Sequence, residues 1–240
     1  MNDEHIKPAF IVDADDTLWE TETFYQRAIS DFGDLMATLD FDRAEAKRTL
    51  DVVERERVLL TGYGPQAFAQ NMVVAYERLC ENQRRPAVQD VAARVLEIGQ
   101  TVVEFPINLL EGVAETLPWL AARFRLFLLT KGDRAAQEDK LNRSGLAHFF
   151  EAVHIVPEKD ARVLRELIAR HGLAPQQTWM VGNSPRSDIN PALEAGIRAV
   201  HIPHTCTWVW EQAELVAPER VVVLNHFGEL TELFAVGRGF

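Results

Sequence analysis

The sequence predicts an α/β fold: a doubly wound parallel sheet with an all-helical cap subdomain inserted near its start. Short apolar runs alternate with helical patterns from residue 107 onward, which is typical of strands joined by helical crossovers. The stretch of about 85 residues after the first apolar run has helical periodicity alone. With 240 residues, 47% of them hydrophobic, the chain is long enough for one core domain and such an insertion.

The first apolar run, residues 9–12, ends at three carboxylates, Asp13, Asp15 and Asp16. We expect a buried strand here, and ligands of such sheets bind beyond the carboxyl ends of the strands. Asp13 and Asp15 are two positions apart and therefore lie on the same side of an extended chain. Carboxylates this close need a cation or a proton to compensate them. The segment therefore suits a divalent cation and one carboxylate that acts as nucleophile or acid.

The inserted subdomain is predicted to contain helices over residues 20–40, 43–60, 65–82 and 88–104. We assign residues 19–106 to this helical cap, and residues 1–18 and 107–240 to the α/β core. A glycine-rich break at residues 61–65 places Tyr63 in a turn between two helices. Tyr63 is therefore either a substrate-binding residue or part of a plain interhelical loop.

The core continues with predicted strands over residues 125–130, 152–156, 178–182, 198–202 and 221–224. Predicted helices precede or follow these strands, over residues 112–122, 135–143, 160–171, 191–195 and 229–236. Gly145, Gly172 and Gly196 follow three of the helices and are typical C-terminal caps. Right-handed crossovers between parallel strands bring all the strand ends to one edge of the sheet.

The strand ends carry polar groups that suit phosphoryl transfer. Thr130 and Lys131 end the second strand, Lys159 follows the third, and Asn183 and Asp188 follow the fourth. A phosphoryl group in transfer has charge on three equatorial oxygens, which a hydroxyl, a backbone N–H and an ammonium group can bind. Asp188 can complete a Mg²⁺ site, because this ion prefers oxygen ligands and keeps several waters.

These residues resemble, in order, the four motifs of the haloacid dehalogenase superfamily in its phosphatase form. The resemblance covers essentially the whole chain, and the helical insertion is similar to that family's all-helical cap. It implies that Asp13 attacks phosphorus, that Asp15 is the general acid and base, and that Thr17 helps to hold the turn. The implied catalytic residues are Asp13, Asp15, Thr130 and Lys159, and the implied Mg²⁺ site is formed by Asp13, Asp15 and Asp188.

Two positions depart from the family pattern. Asn183 stands where Asp is usual, and its amide oxygen can ligate or accept a hydrogen bond but brings no charge. Lys131 stands where small or amide residues are commoner, and it either contacts the substrate phosphate or caps the strand end. With Thr17 and Tyr63, these two are the candidate substrate-binding residues. The acid role requires Asp15 to be protonated, which closure of the cap would favour.

Composition limits the partners and the location. The net charge of −11 repels nucleic acids and anionic lipids, so we expect neither nucleic acid nor membrane as a partner. A polar start without an apolar signal core, and no apolar run near about 18 residues, predict a cytoplasmic protein. Cys80 and Cys206 are far apart and are predicted to be buried, reduced thiols. We expect a monomer or a homodimer.

The sequence therefore predicts a Mg²⁺-dependent phosphomonoester hydrolase that acts on a small phosphorylated metabolite through an aspartyl-phosphate. A hydrolytic dehalogenase needs the first Asp but neither a metal nor a second acid, so Asp15 and Asp188 argue against it. A phosphonatase would want a cap lysine, for which Lys47 is the only candidate after the first motif. The alternative from another class is a catalytically weak or inactive binding module, which Asn183 favours.

Overall fold

The computed structural model describes residues 7–235 and confirms the predicted α/β fold. Its sheet is formed by β1 (Ala9–Val12), β2 (Arg125–Lys131), β3 (Ala152–Val156), β4 (Thr178–Gly182), β5 (Arg198–His201) and β6 (Val221–Val223). The strand order is β3-β2-β1-β4-β5-β6, and every pairing is parallel. The chain order thus reverses between β1 and β4, and such a switch point is where open α/β sheets bind ligands.

The described residues form two compact units. One contains residues 7–22, 107–131 and 137–235, and the other contains residues 23–106 and 132–136. The helices before the second strand are α1 (Glu22–Ala37), α2 (Arg43–Thr61), α3 (Pro65–Asn82), α4 (Gln89–Gln100) and α5 (Val113–Ala121). Those after it are α6 (Arg134–Ser144), α7 (Ala161–His171), α8 (Asn190–Ala195) and α9 (Glu229–Ala235).

The central strands β1, β2 and β4 are buried on both faces, which accounts for their nearly continuous apolar sequences. Alternate residues of β1 point to opposite faces, so Phe10 packs in one apolar core and Ile11 in another. The first core includes side chains of α5 and α9, and the second includes side chains of α7 and α8. The helical unit has a separate core, with Phe32, Met36, Leu50, Met72 and Leu79 fully buried.

Helix ends account for most differences from the sequence-based elements. Helix α1 begins at Glu22 rather than at residue 20, because the Asp16 carboxylate accepts hydrogen bonds from the backbone N–H groups of Thr21 and Glu22. Helix α4 ends at Gln100 rather than at residue 104 and continues as a turn. Residue 236 of the last predicted helix lies outside the described residues. Among the described helices none is long and apolar enough to cross a membrane.

Candidate active site

The parallel register brings the expected polar groups to one edge of the sheet. Val12, the last residue of β1, lies opposite Leu128 of β2 and Val181 of β4. One position further, the backbone N–H of Asp13 donates to the carbonyl of Val181 over 2.9 Å. Thr130, near the end of β2, is 2% exposed and pairs in register with Ile155 of β3. The candidate residues after β1, β2 and β4 therefore lie side by side at the switch point.

Lys159 joins two buried carboxylates at this edge. Its ammonium group lies 2.6 Å from Asp13 Oδ1 and 2.5 Å from Asp188 Oδ1. Asp13 and Lys159 are each 5% exposed, and Asp188 is fully buried. The two carboxylates, which are 175 positions apart in the chain, thus converge on one cation.

Burial and the mutual interactions of the charges together set the electrostatics of the trio formed by Asp13, Lys159 and Asp188. Burial and the neighbouring Asp188 raise the pKa of Asp13 to about 7, although Lys159 acts in the opposite direction. Burial alone would lower the pKa of Lys159, but the two carboxylates outweigh it and raise that pKa above its usual value. With all three groups ionised, two negative charges face one positive charge. The site retains one uncompensated negative charge, which a further cation would balance.

A tight turn after β4 holds Asp188 in place. The segment Pro185–Ile189 forms a single π-helical turn, and Asp188 Oδ2 accepts a hydrogen bond from the Ser184 backbone N–H over 3.0 Å. Gly182 permits this arrangement, because a Cβ atom at that position would collide with the Asp188 carboxylate. Ser184, and not Asp188, supplies the N-cap of the turn by accepting from the Ser187 N–H. Asp188 therefore does not cap this turn.

Asp15 is held by four neighbouring side chains. Its Oδ1 accepts from Trp19 Nε1 and Thr21 Oγ1, each over 2.8 Å. Lys140 Nζ lies 2.5 Å from Oδ1 and 2.7 Å from Oδ2, and Gln137 Nε2 donates to Oδ2 over 2.8 Å. Burial would raise the pKa of Asp15, but Lys140 and the hydrogen bonds outweigh it and lower that pKa below its usual value. This arrangement favours the ionised carboxylate, whereas the sequence-based mechanism begins with a protonated Asp15.

The rest of the first loop contains a structural carboxylate, Asp16, and the buried hydroxyl of Thr17. Asp16 adopts a left-handed conformation with φ of 57° and turns its side chain to the start of α1. It therefore caps a helix and does not join the trio. Thr17 is buried, with its hydroxyl 3.4 Å from Asp13 Oδ2 and 3.5 Å from Asn183 Oδ1. Thr17 thus lies between the first and fourth motifs, at contact distance from both.

Lys131 lies in a network of acidic and hydroxyl groups. Its ammonium forms an ion pair with Glu211, lies 3.4 Å from Glu158, and donates to Ser187 Oγ over 3.1 Å. Ser184 Oγ also donates to Glu211, over 2.6 Å. Lys131 therefore does more than cap a strand, because it ties β2 to the turn after β4. Glu211 ends a short 3-10 helical turn, Val209–Glu211, after β5, and no sequence pattern marks it as part of the site.

The remaining two candidate substrate-binding residues, Asn183 and Tyr63, lie in different surroundings. Asn183 is 6% exposed, and its backbone carbonyl contacts His201 Nε2 at 3.1 Å. Tyr63 lies in the helical unit, in the turn between α2 and α3, flanked by Gly62 and Gly64 with positive φ angles. The structure thus places Asn183 beside Thr17, and it places Tyr63 in the turn where the sequence predicted it.

The donor set of the trio fits a hard divalent cation. Within residues 7–235, no group of three His, Cys, Asp or Glu side chains is arranged to hold a metal ion. Two carboxylates that converge at one point, Asp13 and Asp188, are nevertheless enough for Mg²⁺ when a backbone carbonyl and waters complete the shell. A bound divalent cation would also balance the uncompensated negative charge of the trio.

Comparison with known proteins places these residues in a family. A profile of the haloacid dehalogenase-like hydrolases matches residues 7–196, which include every candidate residue at the strand ends. A phosphoserine phosphatase from Thermus thermophilus is 39% identical over 114 residues. That match covers 45% of this chain and 43% of the relative, so the chain spans less than half of the length of this curated relative.

Solved structures show the same fold over nearly the whole chain. A haloacid dehalogenase-like family hydrolase from Xanthomonas campestris is 26% identical, with a TM-score of 0.81 over 98% of this chain and 94% of that one. The HAD-hydrolase YfnB from Bacillus subtilis, crystallised with bound magnesium, has a TM-score of 0.63 at 16% identity. The structural match covers 96% of this chain and 99% of the B. subtilis chain.

Proposed function

The chain belongs to the haloacid dehalogenase-like hydrolases, and on this basis we propose that it is a Mg²⁺-dependent phosphomonoesterase for a small phosphorylated metabolite. One observation carries the proposal: Asp13 and Asp188 converge on Lys159 at the switch point of the sheet, with Asp15 two residues from Asp13. The similarity to a phosphoserine phosphatase supports phosphate esters as the substrate class. A hydrolytic dehalogenase needs no second acid, so Asp15 favours the phosphatase.

In the proposed first half-reaction, a carboxylate oxygen of Asp13 attacks phosphorus and forms an aspartyl-phosphate. The bond from phosphorus to the leaving oxygen breaks, and Asp15 transfers a proton to that oxygen. Because its neighbours favour ionised Asp15 in the resting site, the carboxyl takes its proton from solvent before the first turnover. Asp13 must be ionised to attack, and Lys159 assists this by binding one of its oxygens.

In the second half-reaction, ionised Asp15 accepts a proton from water, which attacks phosphorus and breaks its bond to Asp13. The four donors around Asp15 keep the carboxylate ionised and oriented at the start of this step, so that it can accept the proton. Inorganic phosphate is released, and Asp13 returns to the carboxylate form. Asp15 begins the next cycle with the proton it took from water.

The proposed Mg²⁺ site consists of the Asp13 and Asp188 carboxylates and the Asp15 backbone carbonyl. When bound, the ion would supply positive charge that offsets repulsion between Asp13 and the substrate phosphate. The magnesium bound by the B. subtilis neighbour supports this assignment. Asn183 is proposed to orient the substrate or a water rather than to add charge.

We assign phosphate binding to Thr130, Lys159 and the backbone N–H of Lys131. The Lys131 ammonium is already paired with Glu211, so it is proposed to contact substrate only as part of that network. Tyr63 is proposed to contribute to substrate choice from the helical unit. Unchanged kinetics of Tyr63→Ala on every active substrate would remove Tyr63 from this role.

The proposal is tested by hydrolysis of 4-nitrophenyl phosphate with and without Mg²⁺. We expect Mg²⁺-dependent release by the wild type and none by Asp13→Asn. Asp139→Asn is the matched control, because it also removes one carboxylate but from an exposed ion pair with Arg143. Release that persists in Asp13→Asn, or that ignores Mg²⁺, would contradict the mechanism.

A further inference from the structure

The Asp15 carboxylate is positioned from two directions. Trp19 and Thr21 belong to the same loop and approach Oδ1. Lys140 and Gln137 come from α6, more than 120 positions further along the chain, and reach both oxygens. Of these four residues, only Lys140 and Gln137 donate to Oδ2. The orientation of the carboxylate plane therefore depends on α6.

Gln137 links Asp15 to the end of a core strand. Its Nε2 donates over 2.8 Å both to Asp15 Oδ2 and to the backbone carbonyl of Lys131. Both partners are acceptors, which fixes the orientation of the amide. Because Lys131 is the last residue of β2, this contact sets Asp15 relative to the strand end where we place the phosphate.

Lys140 completes the arrangement one helical turn away. Residues three positions apart share a helix face, so Gln137 and Lys140 point to the same place. The Lys140 side chain is 13% exposed, and its ammonium bridges the two oxygens of Asp15. A charge-assisted bond to both oxygens restricts rotation of the carboxylate more than a single neutral donor does.

We propose that Lys140 and Gln137 are positioning residues that aim the Asp15 carboxyl at the leaving-group oxygen, an inference that rests on the proposed phosphatase function. Neither residue belongs to the four motifs that the sequence marks. As the phosphorus–oxygen bond of the substrate breaks, the proton of Asp15 moves to the leaving oxygen, and the Asp15 carboxylate that remains is held by these donors. A misplaced acid therefore slows this step most for substrates whose leaving oxygen needs the proton.

This dependence on the leaving group separates positioning from a structural role. We would measure kcat/KM for phenyl phosphate and for 4-nitrophenyl phosphate, because kcat/KM reports the step in which the leaving group departs. The nitro group stabilises the departing anion, so that ester needs little protonation. The variants are Lys140→Met, Lys140→Arg and the control Arg143→Met, which removes a cation from the same helix at an exposed ion pair.

We expect Lys140→Met to lower kcat/KM on phenyl phosphate about 10²-fold and on 4-nitrophenyl phosphate less than about tenfold. Lys140→Arg should keep most of the wild-type kcat/KM on phenyl phosphate. Arg143→Met should change kcat/KM on neither ester. Equal losses on both esters, no loss on either, or the same pattern in Arg143→Met would overturn the inference.

The outcome for the wild type separates this inference from the proposed function. A wild type that hydrolyses both esters, with uniform losses in Lys140→Met, would overturn the positioning role alone. A wild type inactive on both esters with Mg²⁺ would contradict the phosphatase proposal, and the positioning role would fall with it. The melting temperature of Lys140→Met is measured in parallel. Three donors to Asp15 remain in this variant, so we expect it to fold.

Discussion

Replacing the proposed nucleophile should stabilise the protein while it abolishes activity. Asp13 is buried beside Asp188, and the single positive charge of Lys159 faces both carboxylates. Asp13→Asn keeps the shape of the side chain and leaves Lys159 and Asp188 as a neutral pair. At pH 8 and without Mg²⁺, we therefore expect the variant to be more stable than the wild type.

The magnitude follows from the pKa of Asp13, which folding raises from 3.8 to about 7. Between these values the folded state holds a proton that the unfolded chain has released, so the wild type loses stability as pH rises through this window. A pKa difference of this size corresponds to at most about 4 kcal/mol at pH 8. In a chain of this length, that free energy corresponds to a rise in melting temperature of about 8 to 16 °C at most.

The assay is thermal unfolding followed by circular dichroism at pH 8 and pH 5, in the presence of a chelator. The gain for Asp13→Asn should be large at pH 8 and smaller at pH 5, where the wild-type carboxyl is already protonated. Mg²⁺ should raise the melting temperature of the wild type more than that of the variant, because it binds the folded site that Asp13 completes. A variant no more stable than the wild type at pH 8, or equally stabilised at both pH values, would refute the reasoning.

Three further predictions concern other residues. Gly182→Ala should lower kcat/KM about 10²-fold, because the added Cβ displaces Asp188; unchanged kinetics would contradict the close packing. Burial raises the pKa of Glu54 from 4.5 to about 7, so stability is lost as pH rises through this range, and Glu54→Gln should raise the melting temperature at pH 8 but little at pH 4. His154 and His171 contact through Nε2 at 2.9 Å, and burial lowers the pKa of both below 6.5. The fold should therefore lose stability as pH falls below about 6.5, and His154→Asn should flatten this loss in acid unfolding curves.

The core of the fold could be predicted from sequence because its signals are local. Strands such as Thr178–Gly182 are continuous apolar runs, and burial on both faces of a parallel sheet produces that pattern. Helix α7 ends at His171, and the following Gly172 adopts the left-handed conformation expected of a C-terminal cap. Helix ends without such a marker, as at Gln100, were the least accurate.

The site could be predicted only where a motif marks it. Asp13, Lys159 and Asp188 lie at strand ends, and the parallel topology brings them together. Lys140 and Gln137 carry no such mark, because a polar face on a helix usually indicates exposure to solvent. Sequence spacing places Asp16 with the other carboxylates, whereas its left-handed backbone conformation directs the side chain to the start of α1 as a helix cap. The roles of these three residues depend on which loop packs against which helix, and the spacing of residues in the sequence does not encode that contact.

The most direct test of the account is to locate the covalent intermediate. The wild type is mixed with 4-nitrophenyl phosphate and Mg²⁺, treated with borohydride, which reduces an acyl phosphate to an alcohol, and mapped by peptide mass spectrometry. We predict reduction at Asp13 that requires substrate and is absent at Asp15 and Asp188. Phosphate release without a reduced residue, or reduction at another carboxylate, would contradict the assignment of Asp13 as the nucleophile.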